Sequence, residues 1–199
     1  MVYKHIKRAI DLTGASILSI LLSPILAITA LAVKLDSKGP VLFKQERLGY
    51  KGKIFKILKF RSMIVDAEKQ GTGVYSYKGD KRITKVGRFI RATSLDELPQ
   101  LFNILKGEMS FIGPRPALTY HPWTIDKYDN EQKRMFDVLP GITGWAQVHG
   151  RKEVPWPERI KLNVEYVDNM TFTMDLKIFF STFIKVLTNA NNNNTSKTN

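Results

Sequence analysis

The sequence predicts an α+β fold, mostly helical, in which an N-terminal membrane-inserted helix-break-helix precedes a small helical domain with a β-hairpin. Three observations carry this. Residues 12–33 hold no formal charge and are interrupted at Ser23-Pro24. Two short apolar runs, 41–43 and 54–60, flank the turn formers Gly49-Tyr-Lys-Gly52. Apolar residues recur at helical period around 98–105, 160–166 and 176–187.

The uncharged run of about 22 residues is long enough, as a helix, to cross a hydrocarbon core roughly 30 Å thick. It lacks the small-residue cleavage site of a secretory signal and is expected to persist. Pro24 removes one helix hydrogen bond, and Ser23 can satisfy the carbonyl so freed. Lys4, Lys7 and Arg8 precede the run and Lys34 and Lys38 follow it, so charge gives no direction of crossing. Both features favour a re-entrant segment over residues 1–38 that dips in and returns to the same face. A kinked transmembrane helix is the competing reading.

The hairpin is basic, with Lys44, Arg47, Lys51, Lys53, Lys56, Lys59 and Arg61. Anionic lipid or a nucleotide diphosphate would explain the excess, and a solvated charged face is the plainer alternative, except at Arg61 in Lys59-Phe-Arg-Ser-Met63. Residues 66–80 combine weak periodicity with many turn formers and predict a mobile loop. Residues 82–91 follow, with Arg88 between Gly87 and Phe89 as the cation expected nearest any phosphate.

Thr93-Ser-Leu-Asp-Glu-Leu-Pro-Gln100 then places two adjacent carboxylates, Asp96 and Glu97, among cations. Ser94-x-x-Glu97 has capping-box spacing, so the pair is expected at the start of a helix ended by Gly107. Adjacent helical residues diverge by about 100°, which predicts different roles for the two acids. In Gly113-Pro-Arg-Pro116 two prolines restrict the backbone around Arg115, and a guanidinium held this way loses little entropy in gripping a phosphate. Pro140-Gly-Ile-Thr-Gly144 reads as a turn-rich loop. Trp145, Gln147 and Arg151 are candidates for a nucleotide or sugar pocket, with Trp145 equally suited to the core. The last helix carries Phe179, Phe180, Phe183 and Ile184 beside Lys177 and Lys185, which suits either a membrane interface or a packed core. Asparagine-rich residues 189–199 predict a disordered tail.

The 199 residues allow one good core, and the net charge of +13 calls for an anionic partner. Without cysteine there are no disulfides, thiolate nucleophiles or cysteine metal sites. No His/acid cluster, Walker loop or Rossmann glycine fingerprint is present, so a catalytic metal should be a hard ion held by oxygen. A noncatalytic membrane-attached nucleic-acid binder would suit the charge. However, no recognition-helix pattern, zinc module or aromatic RNA motif accompanies it, and nucleic acid is not expected as a partner.

Three ordered motifs resemble the bacterial sugar transferases, also called monotopic phosphoglycosyl transferases. They are Ser94-Leu-Asp-Glu-Leu-Pro-Gln-Leu-Phe-Asn103, Lys106-Gly-Glu-Met-Ser-Phe-Ile-Gly-Pro-Arg-Pro116 and Pro140-Gly-Ile-Thr-Gly-Trp-Ala-Gln-Val-His-Gly-Arg151, joined by Lys7-Arg8-x-x-Asp11 and the break at Ser23-Pro24. The resemblance implies a catalytic domain over residues 39–188 on the cytoplasmic face of a bacterial inner membrane. It implies a UDP-sugar donor, a polyprenyl (undecaprenyl) phosphate acceptor and release of UMP, in the first step of a surface glycan such as a capsule or exopolysaccharide. Asp96 matches the nucleophile that forms an aspartyl-phosphosugar. Glu97 is then a Mg²⁺ ligand or a base for the lipid phosphate, with Asp96 as the second candidate Mg²⁺ ligand. Arg61, Arg88 and Arg115 are candidates for phosphate binding. Anionic lipids are expected partners, and a homodimer is compatible with the sequence. The same acids with water as acceptor would make a nucleotide-sugar hydrolase or phosphodiesterase.

Overall fold

The computed structural model describes residues 2–77, 79–150 and 154–187. Arg151 and the tail at 189–199 lie outside the described residues.

The chain opens with helices α1 (Val2–Leu21) and α2 (Ser23–Asp36), bent 64° at their junction. The cause is local. Pro24 has no N–H to offer Ile20 O, the acceptor four residues back, and Ser23 Oγ donates to that carbonyl instead at 2.8 Å. No single described helix is long and apolar enough to cross a membrane, whereas the bent pair together reaches that length. Much of its apolar surface faces outward, including Ile20 at 73% exposure and Leu35 at 77%.

Strands β1 (Leu42–Leu48) and β2 (Ile54–Phe60) form the expected antiparallel hairpin, with Leu42 opposite Phe60 and Leu48 opposite Ile54. Its turn runs through Tyr50–Gly52, where Lys51 (φ 54°) and Gly52 (φ 73°) take left-handed backbone. A parallel pair, β3 (Ser110–Ile112) and β4 (Gly141–Thr143), corrects the turn-rich loop expected at 140–144. Glycine is required there by close approach rather than by a turn. A Cβ on Gly141 would stand 2.1 Å from Gly113 N, and one on Gly144 would stand 2.0 Å from Gly113 O.

The remaining helices are α3 (Lys85–Ala92), α4 (Gln100–Lys106), α5 (Trp145–Val148), α6 (Trp156–Asp168) and α7 (Phe172–Leu187). Gly107 ends α4 in left-handed backbone (φ 83°), as expected. The expected helix start at the acid pair is corrected. Ser94 lies at φ 59° and forms no side-chain cap, Leu95–Glu97 is a single 3₁₀ turn, and α4 begins only after Pro99. The two acids thus occupy an elbow between α3 and α4.

Each arm of that elbow packs on one half of the bent pair. Ala15 and Leu22, from α1 and the junction, meet Leu101, Ile104 and Leu105 of α4, with Phe55 and Ile57 beneath. Leu26, Ala30 and Val33 of α2 meet Val86 and Ile90 of α3, with Phe60 and Leu95. Polar bonds fix the same contacts: Arg8 Nη1 donates to Ile104 O at the end of α4 (2.9 Å), and Val86 N at the start of α3 donates to Asp36 Oδ2 (3.0 Å). Phe111 N donates to Asp11 Oδ1. Tyr3, Lys7 and Tyr166 all donate to the buried Asp175 carboxylate, which ties α7 to the first turns of α1.

The stretch expected as a mobile loop is tied down instead. The buried Arg82 guanidinium donates to Ala67 O, Gln70 O, Gly73 O and Tyr75 O and pairs with Asp80, whose side chain is fully buried. One side chain supplies the acceptors' partners that secondary structure supplies elsewhere. Replacing Arg82 by Leu would remove the guanidinium from those carbonyls and leave the buried Asp80 charge with the backbone N–H of residue 82 as its remaining donor, and removing one partner of a buried ion pair is strongly destabilising. Arg82→Leu is expected to melt earlier and to be cleaved within 67–77 by a nonspecific protease that spares the parent. Equal cleavage patterns would contradict the anchoring role.

Candidate active site

The elbow gives the two acids different surroundings. In a 3₁₀ turn consecutive side chains diverge by about 120°, and the carboxylates accordingly leave in different directions. Glu97 Oε1 accepts from Lys59 Nζ at 2.7 Å, across from β2. Asp96 makes no salt bridge among the described residues. Burial pushes the Asp96 carboxyl up to about 6. Lys59 opposes that rise, Glu97 adds to it and Arg91 opposes it. A carboxyl in that range is mostly ionised at neutral pH yet more basic than a solvated aspartate.

Glu97, Lys59 and Gln100 also line a narrow cleft together with Arg47, Arg115, Pro116, Gly141 and Ile142. The hairpin's parity explains its contribution. Cross-strand partners share a face, so Gln45 and Arg47 lie with Ile57 and Lys59, while Lys44 and Lys56 face a broader groove on the opposite side with Lys106 and Glu108. The basic hairpin is therefore not uniformly a solvated face. Alternation along the two strands was the signal that could have separated Arg47 and Lys59 from the other cations.

Arg115 is exposed on the rim of this cleft. Arg88 is exposed on α3, and the α3 guanidinium whose charge acts on Asp96 is Arg91, one turn later, which donates to Ser76 Oγ at 3.1 Å. Arg61 is buried just past the end of β2, two residues beyond Lys59. Its Nη2 donates to Ser37 O (2.6 Å) and Ser37 Oγ (2.9 Å) just past α2, and its Nε and Nη1 have no hydrogen-bond partner. Trp145 is buried with Ile112, Val138, Tyr166 and Ile178, as its core reading required. Gln147 is buried beside Gly144 with neither end of its amide paired. Lys59, Arg91, Arg47 and Gln100 are the site neighbours that sequence reasoning did not single out.

Among the described residues no group of three or more His, Asp or Glu could hold a metal. The elbow offers a cation two carboxylates, one already shared with Lys59. That donor set fits Mg²⁺, which takes one or two carboxylates and completes its shell with water and substrate phosphate oxygens.

Comparison with known proteins places the chain in a family. The signature of the bacterial sugar transferase family matches residues 2–189. The uncharacterized sugar transferase EpsL of Bacillus subtilis is 44% identical over 182 residues, 92% of this chain and 87% of the relative. The UDP-glucose:undecaprenyl-phosphate glucose-1-phosphate transferase of Escherichia coli is 43% identical over 201 residues, 94% of this chain. The UDP-N-acetylgalactosamine-undecaprenyl-phosphate N-acetylgalactosaminephosphotransferase of Aeromonas hydrophila is 42% identical over 193 residues, again 94% of this chain. This chain spans 41% and 45% of the lengths of the last two.

The raised Asp96 carboxyl has a thermodynamic signature. The folded chain holds that proton up to about pH 6, against an ordinary aspartate value of 3.8, so the native state binds it more tightly than the unfolded one. The associated stability is fully present below about pH 4 and is lost as pH rises through about 6. Asp96→Asn is expected to be more stable than the parent above about pH 7 and to match it below about pH 4, read by denaturant unfolding. A difference of the same size at both ends would contradict the assignment.

Proposed function

The chain belongs to the bacterial sugar transferase family, and from that premise we propose that it transfers a sugar-1-phosphate from a UDP-sugar to a polyprenyl phosphate such as undecaprenyl phosphate. UMP is released, and the product starts a surface glycan. The observation that carries the reading is the asymmetry at the elbow. Glu97 is tied to Lys59 while Asp96 makes no salt bridge, and both sit where α3 and α4 rest on the two halves of the apolar bent pair.

In this reading an Asp96 carboxylate oxygen attacks the phosphorus that bears the sugar. The bond from that phosphorus to the bridging oxygen breaks, and UMP departs with the electron pair. An oxygen of the lipid phosphate then attacks the same phosphorus and breaks its bond to Asp96, which restores the carboxylate. Each half-reaction meets one anionic substrate instead of two. Burial supports the nucleophilic role, since a carboxylate pushed up to about 6 is more basic than a solvated one. Glu97, adjacent but turned toward Lys59, is the group to hold Mg²⁺ with Asp96 or to take a proton from the lipid phosphate. Mg²⁺ bound there would supply neutralising charge to the donor diphosphate. Arg91 and Lys59 add fixed positive charge beside the reacting carboxylate.

The acceptor's chemistry demands a membrane surface, and three features support one. The bent pair is capped by cations at both ends, which favours a dip into the bilayer with both termini on the cytoplasmic side. Its outer surface is aliphatic. Helix α7, tied to the first turns of α1 through Asp175, exposes Phe172, Leu176, Phe179, Phe180, Phe183 and Ile184, a face suited to the headgroup boundary, while its cations turn to the protein: Lys185 Nζ donates to Val148 O and Lys177 Nζ lies over the Trp145 ring.

Two measurements test this reading. UMP release by the full chain in lipid nanodiscs, across a panel of UDP-sugars, is expected to require polyprenyl phosphate and to fall to background in Asp96→Asn. Release at the full rate without the lipid would instead indicate a hydrolase, and near-parental turnover by the variant would exclude the covalent role. A cysteine placed at Lys4 is expected to resist a membrane-impermeant reagent added outside intact cells. Labelling from outside would indicate a spanning helix.

A further inference from the structure

The cleft beside Glu97 holds more positive charge than its own acids neutralise. Of Arg47, Lys59, Arg115 and Glu97, only Lys59 and Glu97 form an ion pair. Arg47 and Arg115 have no carboxylate within ion-pair distance among the described residues.

Arg47 is not a solvated surface cation. Its Nη1 donates to Pro116 O at 3.0 Å, its Nη2 donates to Gln45 Oε1, and its Nε is buried without a partner. One bond therefore holds the guanidinium against the loop that presents Arg115, and the other ties it to its own strand. Burial and, next, the charge of Arg115 pull Arg47 down to about 10. Arg159 is lowered for the same two reasons, in the same order. The Arg115 charge is thus felt by two other half-buried guanidinium groups, at Arg47 against the opposing charges of Glu68, Tyr120 and Glu97. Holding like charges together costs free energy unless an anion lies between them, and guanidinium forks match a phosphate's oxygens.

We propose that Arg47 and Arg115 together seat the phosphate of the departing nucleoside monophosphate, on the Glu97 side of the acid pair. The assignment rests on the transferase reading for the identity of the anion, and it adds a residue, Arg47, whose role is to bind that phosphate directly. Glu97 lines this seat and Asp96 does not. An anion held there leaves Asp96 to the phosphorus that carries the sugar.

The probe is UMP, with inorganic phosphate and uridine as comparators, titrated into the full chain in nanodiscs. Arg47→Gln and Arg115→Gln are each expected to weaken UMP binding about tenfold or more, the worth of one charge-assisted hydrogen-bonded contact. The double variant is expected to lose less than the product of the single losses, because both groups grip one phosphate. Uridine binding should not change. Arg47→Lys, which keeps the charge but not the fork, is expected to fall between the parent and Arg47→Gln. Arg115 is exposed, so Arg115→Gln tests the seat even if Arg47→Gln fails to fold. UMP affinity within twofold of the parent in folded Arg47→Gln or in Arg115→Gln would overturn the proposal, as would fully multiplicative losses. The two readings fail separately. A parent chain that transfers no sugar phosphate yet binds UMP through Arg47 keeps the seat and loses the transferase reading. A parent that transfers while Arg47→Gln binds UMP normally loses the seat alone.

Discussion

One missing hydrogen bond organises this molecule. Pro24 cannot donate to Ile20 O, Ser23 does so in its place, and the apolar segment turns by 64° where a continuous helix would run straight. The two halves that result diverge, and each accepts a different helix of the polar domain: α4 on α1 and the junction, α3 on α2. The short link between α3 and α4 is thereby held over the bend. That link is where Asp96 and Glu97 lie. A straight segment would offer one surface, and the two arms could not both be packed.

The electrostatics of the elbow follow from its position. With its arms buried, the link cannot open to solvent freely, and Asp96 accordingly sits where the charged form is disfavoured. Lys59 and Arg91 approach from β2 and α3 and recover part of that cost. Lys59 is shared with Glu97 by a direct bond, so the two adjacent acids are unequal before any substrate arrives. On the transferase reading this inequality is the division of labour: one carboxylate forms and breaks a bond to phosphorus while the other manages charge around it.

Local chemistry made some of this legible in the sequence. The hairpin was readable because glycines bracket its turn, and the end of α4 because Gly107 is the residue that tolerates left-handed backbone there. The break at Ser23-Pro24 was readable because proline's missing donor acts on the carbonyl four residues towards the N-terminus, a fixed spacing. What failed was everything decided by distant partners. Ser94-x-x-Glu97 has the spacing of a capping box, but Lys59 competes for Glu97 from 38 positions away, and Ser94 turns left-handed. Strands β3 and β4 are three residues each, too short to show a period, and are joined by close glycine approaches. The loop at 66–80 has no pattern of its own because one arginine outside it, Arg82, supplies its order. At the site, Asp96, Glu97 and Arg115 were picked out by their motifs, whereas Arg47 and Arg91 are recognisable only once the strands and helices set their facing.

The account turns on a bond between phosphorus and Asp96, and the most direct measurement is the mass of the intact protein after mixing with a UDP-sugar in the absence of any lipid acceptor. A gain equal to one sugar phosphate, absent in Asp96→Asn and removed on adding polyprenyl phosphate, is the predicted result. Efficient transfer to the lipid by a chain that never carries this added mass, under conditions that preserve acyl phosphates, would contradict it.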